Sequence, residues 1–423
     1  MFEKYNEKAR RALFFARYEA SKLGSRVIES EHILLGILRE GEETVAEIFR
    51  RFGPSYLRRV VLAPEQAKVL RNVIACRTAA LGGHLDTCDT CGESWHHYNS
   101  CRDRHCPTCQ GWLAVKWLAE RLERFVDTHH FHVVATVPEE LRPVALANRR
   151  LVYDLLFAAV SETLLQLAHE NWGALPAITA VLHTWTRQMA YHPHVHCIVS
   201  GGGLSTDGTR WVPCKDDFLF PVRVMSALIR GKFMAAFVRA YDDGHLHFTG
   251  TSAHLADPDA FAALRRQLYD AEWVVYAKPP FGDVIDLVRY LSLYTHRVAI
   301  SSSRILSVDD DAIEFRTRDD GTCTLPPDEF IRRFLLHVLP TGFRKIRHYG
   351  LLAPSNVSTR LPVAQRLARL ASPARRASSP PPRQPTASTP ARLSPGDLCP
   401  KCRHGHLVRW SLPPSRSPPP GSP

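Results

Sequence analysis

The chain lacks any apolar run approaching the roughly 20 residues that a bilayer-crossing helix needs, which argues against a membrane partner. It also lacks a basic, then apolar, then small-residue leader, so a reducing, cytoplasmic setting is expected. No Gly-rich loop closing on Lys-Ser or Lys-Thr occurs, which removes the usual cradle for nucleotide phosphates. Acidic residues are in deficit: 42 Asp and Glu stand against 54 Lys and Arg, for a net charge of +12 and a pI near 9.3. That excess points to an anionic partner, most often nucleic acid, with a merely soluble basic protein as the plain alternative. At 423 residues the chain is long enough for two or three domains with a well-buried core.

Cysteine is not scarce, and its spacing is informative. Of 11 cysteines, six lie between Cys76 and Cys109, clustered as metal ligands are. Cys88-x-x-Cys91 and Cys106-x-x-Cys109 are two knuckles, each aiming two thiolates at one point, and together they fill the tetrahedral shell of a structural zinc. Cys101 or His105 could replace a knuckle residue, and Cys76 could assist. Arg102, Arg104, Lys116, Arg121 and Arg124 nearby supply charge for phosphates, or simply a solvated basic face. Past Ser372 the chain is rich in Pro, Ser, Ala and Arg and cannot bury enough apolar surface to order itself. Cys399-x-x-Cys402 with His404 and His406 interrupts this tail as a second zinc candidate.

The run Tyr191-His-Pro-His-Val-His-Cys-Ile-Val-Ser-Gly-Gly-Gly203 reads as a strand with two different faces. Alternation puts His192, His194 and His196 on one face and Val195, Cys197 and Val199 on the other. Imidazoles so placed suit a divalent metal, although packed strand histidines are the bland alternative. His130-Phe131-His132 and His245-Leu246-His247 share the pattern and read as packed or solvated. Further on, Asp283 to His296 has helical spacing, and Tyr290 and Tyr294 lie one turn apart beside its apolar stripe. Two amphipathic tyrosines propping that helix on a sheet would give the same pattern. Arg344, Lys345, Arg347 and His348 form a second basic group.

Two resemblances organise these elements. Phe2-Glu3-Lys4-Tyr5, Phe14 to Ala20 and Glu31-His32-Ile33-Leu34-Leu35-Gly36 resemble the N-terminal domain of Clp-family ATPases, of which only about the first of two helical repeats is present, ending near Gly53-Pro54. That resemblance leaves open a Clp-type protein partner and adaptor role. The stretch His192 to Gly203, the segments Tyr276 to Gly282, Tyr290 to Ser301 and His337 to Gly350, and the zinc segment Tyr98 to Gln110 resemble the transposases of the insertion sequence ninety-one family across roughly residues 57 to 355. The tail knuckle is similar to a C-terminal one in that family.

The second resemblance implies an α+β fold with a central antiparallel sheet and helices behind it, ferredoxin-like, of the two-tyrosine His-hydrophobic-His endonuclease group. Expected domains are a helical fragment at 1–53, a zinc-binding domain at 57–112, a catalytic domain at 113–355 and a disordered tail with its knuckle at 356–423. The implied chemistry is rolling-circle-type transposition of single-stranded DNA. His194 and His196 would hold Mg²⁺ or Mn²⁺, with Gln188 as the third ligand if the strand is unbroken; Pro193 could mark a bulge that resets it. Tyr290 or Tyr294 would attack the phosphate, and Arg102, Arg104, Lys278, Arg297, Arg344, Lys345 and Arg347 are the expected DNA contacts. The rivals are a replication initiator or relaxase-like nickase with the same site, and a zinc-dependent DNA-binding protein whose nuclease core is inert.

Overall fold

A computed structural model describes residues 30–110, 123–215, 217–278, 299–318, 321–371, 396–399 and 401–415, with backbone alone for 30–44, Lys278 and Ser303. The first element, α1 (Ser30–Arg59), runs straight through Gly53-Pro54, so the boundary expected there is not a break in the chain. Val45, Ile48, Phe49 and Tyr56 recur at helical spacing and are buried against α2 (Pro64–Ala75) and the core beyond it. Four such side chains contribute about 1.5–3 kcal/mol each, which outweighs the roughly 3 kcal/mol cost of a proline inside a helix. Gly53 lets the two helices close up, since a Cβ there would sit 2.8 Å from Ile74.

After the helix pair come β1 (Gly83–Cys88) and β2 (Ser94–Tyr98), an antiparallel hairpin. The central body follows as β3 (His130–Thr136), α3 (Arg142–Ala147), α4 (Arg149–Trp172), β4 (Ala174–Trp185), β5 (Tyr191–Ser205) and β6 (Trp211–Pro213). It continues with α5 (Val222–Asp242), α6 (Pro258–Asp270) and β7 (Val275–Lys278). A small antiparallel sheet of β8 (Ile305–Val308), β9 (Ile313–Arg316) and β10 (Thr322–Leu325) leads to α7 (Pro327–Leu336) and β11 (Ile346–Gly350). Last are α8 (Arg360–Ala371) and β12 (Leu407–Leu412).

The central sheet has the order β11-β4-β5-β3-β7, with β6 pairing β5 and every neighbour antiparallel. This is the α+β architecture expected. One side of the sheet, carrying Phe131, Val133, Val195, Cys197, Val199, Ala180 and Leu182, is buried beneath α4 and α5. By length and composition α4 could cross a bilayer, contrary to the reading that no segment approaches this. Its apolar face is used instead against the sheet, with Val152, Leu156, Val160 and Leu164 buried there.

Two parts of the expected disordered tail are ordered. Leu361, Ala364 and Ala368 seat α8 in an apolar cluster with Leu204, Trp211 and Leu351. β12 pairs with β1, giving the order β12-β1-β2 across a separation of more than 300 residues. Residues 372–395 of the tail lie outside the described residues.

Candidate active site and metal centres

β5 lies between β3 and β4, so side chains on the face turned away from α4 and α5 are flanked from both sides. His194 stands opposite His183 of β4, and His196 stands between Val181 of β4 and Val134 of β3. Ring nitrogens of His183, His194 and His196 come within 4.8 Å of one another. The Nδ1–H of His194 donates to the His192 carbonyl at 2.7 Å, which leaves its Nε2 lone pair for a ligand. His196 Nδ1 shares a 2.8 Å hydrogen bond with His132 Nε2, and the two rings lie parallel with centroids 5.0 Å apart. Burial holds the His194 imidazolium down, to about 4, and pushes His196 well below its ordinary value, with neighbouring imidazoles and Lys345 adding to the effect. Neutral imidazoles at pH 7 are the form a divalent cation requires.

Two expectations change here. Gln188 is exposed in the β4–β5 turn, where its carbonyl accepts from Arg333 and its N–H donates to the Thr186 hydroxyl. The strand is not unbroken: pairing slips by one residue between His183–His194 and Trp185–Tyr191, at Pro193, and the third imidazole is His183. His132, read as packed or solvated, is packed, and it is against His196 that it packs. His192 stands aside, its Nδ1 accepting from Arg142 at 2.9 Å. His183 was not singled out in the sequence, because which residue faces His194 depends on the turn and the bulge.

Behind the cluster Trp185 stacks on His183 with centroids 4.6 Å apart, and the Lys345 ammonium sits over the Trp185 ring at 5.0 Å. His337 is buried beyond Trp185, its Nε2–H donating to the Met189 carbonyl while Nδ1 accepts from Thr184. Tyr290, Tyr294 and Arg297 lie outside the described residues. The chain enters that segment from the end of β7, where Lys278 pairs with His132.

The cysteines form two quartets, and neither is a set that knuckle spacing suggested. Cys76, Cys101, Cys106 and Cys109 make one, and Cys88, Cys91, Cys399 and Cys402 make the other. The knuckles at 88/91 and 106/109 therefore belong to different centres, and His404 and His406 belong to neither quartet. Sulfur separations of 3.6 Å in the first (Cys76–Cys109, Cys101–Cys109) and 3.7 Å in the second (Cys88–Cys402, Cys91–Cys399) approach the edge of a tetrahedron with bonds of about 2.3 Å. Backbone N–H groups point at these sulfurs: Cys91 at Cys88, Cys101 at Cys76, Gly405 at Cys402. The Gly405 N–H holds the Cys402 thiol down, to about 6, favouring the ligating thiolate. A Cβ on Gly405 would come within 2.6 Å of the Cys88 sulfur. Both donor sets fit Zn²⁺.

The basic residues divide by role. Arg104 turns inward, its guanidinium donating to the Phe343 and Pro340 carbonyls, and Arg347 pairs with Asp154 while lying 4.2 Å over the Phe157 ring. Both act as structural ties rather than the open phosphate contacts expected, because each guanidinium is already engaged, Arg104 by loop carbonyls and Arg347 by a carboxylate. Arg102 and Arg344 are exposed, and Lys345 lies between solvent and the histidine face.

Comparison with known proteins bears on this arrangement. Residues 48–137 match the family model described as "Transposase zinc-binding domain", and residues 177–360 match that described as "Putative transposase". The chain is 46% identical over 323 residues to "Putative transposase y4qJ" of Sinorhizobium fredii, covering 74% of this chain and 81% of that one. It is 27% identical over 320 residues to the "Transposase for insertion sequence element IS801" of Pseudomonas savastanoi pv. phaseolicola, covering 73% and 75%. A separate stretch of 53 residues is 43% identical to "Negative regulator of genetic competence ClpC/MecB" of Bacillus subtilis, which is 12% of this chain and 6% of that protein. No solved structure matches.

Proposed function

This chain belongs to the insertion sequence ninety-one family of transposases, and from that premise we propose that it cuts and rejoins single-stranded DNA through a covalent phosphotyrosine link. The observation that carries the reading is the convergence of His183, His194 and His196 on one face of β4 and β5, in the sheet whose edge strand β7, with β3 lying between it and β5, leads into the two-tyrosine segment. A site of this kind needs a nucleophile, a means of drawing charge from the phosphate and a grip on the strand.

His183, His194 and His196 would hold the divalent cation, Mg²⁺ or Mn²⁺, which when bound polarises the scissile phosphate. His132 orients His196, and the His192 carbonyl fixes the tautomer of His194. The phenol oxygen of Tyr290 or Tyr294 forms a bond to phosphorus as the bond to the 3′ oxygen breaks. The phenol gives up its proton, the departing oxygen takes one, and a 5′-phosphotyrosine and a free 3′-OH result. A second phenol allows a second cleavage before the first link is resolved, and the conserved phosphodiester energy makes ATP unnecessary. Lys345, Arg344, Arg102, Lys278 and Arg297 are the phosphate contacts in this reading.

The test is incubation of the full chain with a labelled single-stranded oligonucleotide and Mn²⁺. A covalent adduct mapping to the peptide with Tyr290 and Tyr294, and lost in the Tyr290→Phe, Tyr294→Phe double variant, is the expected result. Binding without any adduct would instead fit a DNA-binding protein with an inert core.

A further inference from the structure

The sheet β12-β1-β2 has a second face that the chemistry above does not use. On its inner side Asp86 is fully buried and gripped by Arg409 through hydrogen bonds of 2.6 and 2.8 Å, with the His84 and His97 rings stacked alongside. Side chains at directly paired positions share a face. Leu85 pairs with both His96 and Trp410, so these three point away from Asp86, and Tyr98 follows two residues along from His96. The outer face is therefore aromatic: Trp410 is 59% exposed, Tyr98 is 38% exposed and His96 is exposed. Trp410 and His96 are two strand spacings apart, roughly 10 Å, and the His96 and Tyr98 rings are 6.0 Å apart.

We infer that this face is a stacking platform for the unpaired bases of single-stranded DNA. Trp410 stands clear of the other two rings and can take one base, while the tilted His96–Tyr98 pair offers a second stacking surface, with Leu85 as an apolar floor between them. Stacking on exposed rings is open to unpaired bases and closed to those inside a duplex. The charges agree: among the described residues, the paired positions on the outer face carry no carboxylate, because Asp86 is turned inward and neutralised by Arg409. Exposed Arg77 and Arg102 adjoin the Tyr98 end, where the Arg77 N–H bonds the Asn99 carbonyl at 3.1 Å. On a chain of net charge +12, this is an aromatic face with a cationic rim. The Cys88, Cys91, Cys399, Cys402 quartet joins the knuckle after β1 to the one before β12, and so brings Trp410 into place. The proposed transposition chemistry supplies the choice of polymer; the surface itself stands on the sheet.

The experiment measures binding of a fluorescent single-stranded oligonucleotide to the full chain by anisotropy, with zinc bound and no added Mn²⁺ or Mg²⁺. Trp410→Ala and Tyr98→Ala should each weaken binding by about 5- to 100-fold, while Trp410→Phe keeps most of it and duplex binding changes little. Zinc content and melting temperature should match the parent, separating loss of stacking from loss of fold. Unchanged affinity in the Trp410→Ala, Tyr98→Ala double variant overturns the inference and leaves the face to a protein partner. Equal losses for Trp410→Phe and Trp410→Ala also overturn it. The covalent reaction is read separately at saturating DNA: no adduct from the parent protein sinks the transposition mechanism, whereas stacking-dependent binding that persists there supports the platform.

Discussion

His183 is the residue that most changes the picture of the site, because it supplies a third imidazole where a turn glutamine was expected. His183→Ala should abolish Mn²⁺-dependent cleavage while leaving oligonucleotide binding intact, and Gln188→Ala should leave both unchanged. The reverse pattern in a cleavage assay would restore Gln188 as a ligand. His132 acts through His196, so His132→Ala should weaken Mn²⁺ binding by about 10- to 100-fold, read by metal titration. His337 gives a pH signature. Burial holds it down, to about 3, from an ordinary value of 6.5. Between those two values the unfolded chain takes up a proton that the folded chain does not, so the stabilisation is complete above 6.5 and falls as pH drops toward 3. Denaturant melts of the parent should lose several kcal/mol across that window, and His337→Gln should flatten the slope by about one proton.

At the scale of elements, alternation alone marked β5, because its imidazoles and its aliphatic side chains trade places every second position. Its register against β4 was not legible. The slip at Pro193 is one residue, and one residue decides whether His183 or a neighbour faces His194. Zinc shows the same limit: Cys-x-x-Cys predicts a knuckle from local chain geometry, but the partner of Cys91 is Cys399, 308 residues away. The end of the Clp-like stretch near Gly53-Pro54 is not an element boundary, since α1 continues to Arg59. Arg104 belongs to this scale, tying the zinc segment to the loop before β11 through two carbonyls. Arg104→Ala should therefore cost about 1–3 kcal/mol in denaturant unfolding. A salt-dependent loss of DNA affinity with stability unchanged would make it a phosphate contact after all.

For the whole molecule, the second cysteine quartet makes the far end of the chain part of the zinc-binding segment near its beginning. Truncation after residue 371, or Cys399→Ser, should lower bound zinc from two ions per chain to one by metal analysis, since only the Cys76, Cys101, Cys106, Cys109 quartet remains whole. Unchanged zinc content would return the 88/91 and 106/109 knuckles to a single centre. The account as a whole depends on the three-imidazole cluster holding the catalytic cation. A crystal of the full chain soaked in Mn²⁺ and read by anomalous scattering tests that directly. The expected result is an ion at about 2.1 Å from one nitrogen each of His183, His194 and His196; an ion seated elsewhere, with these three imidazoles outside bonding distance, would contradict it.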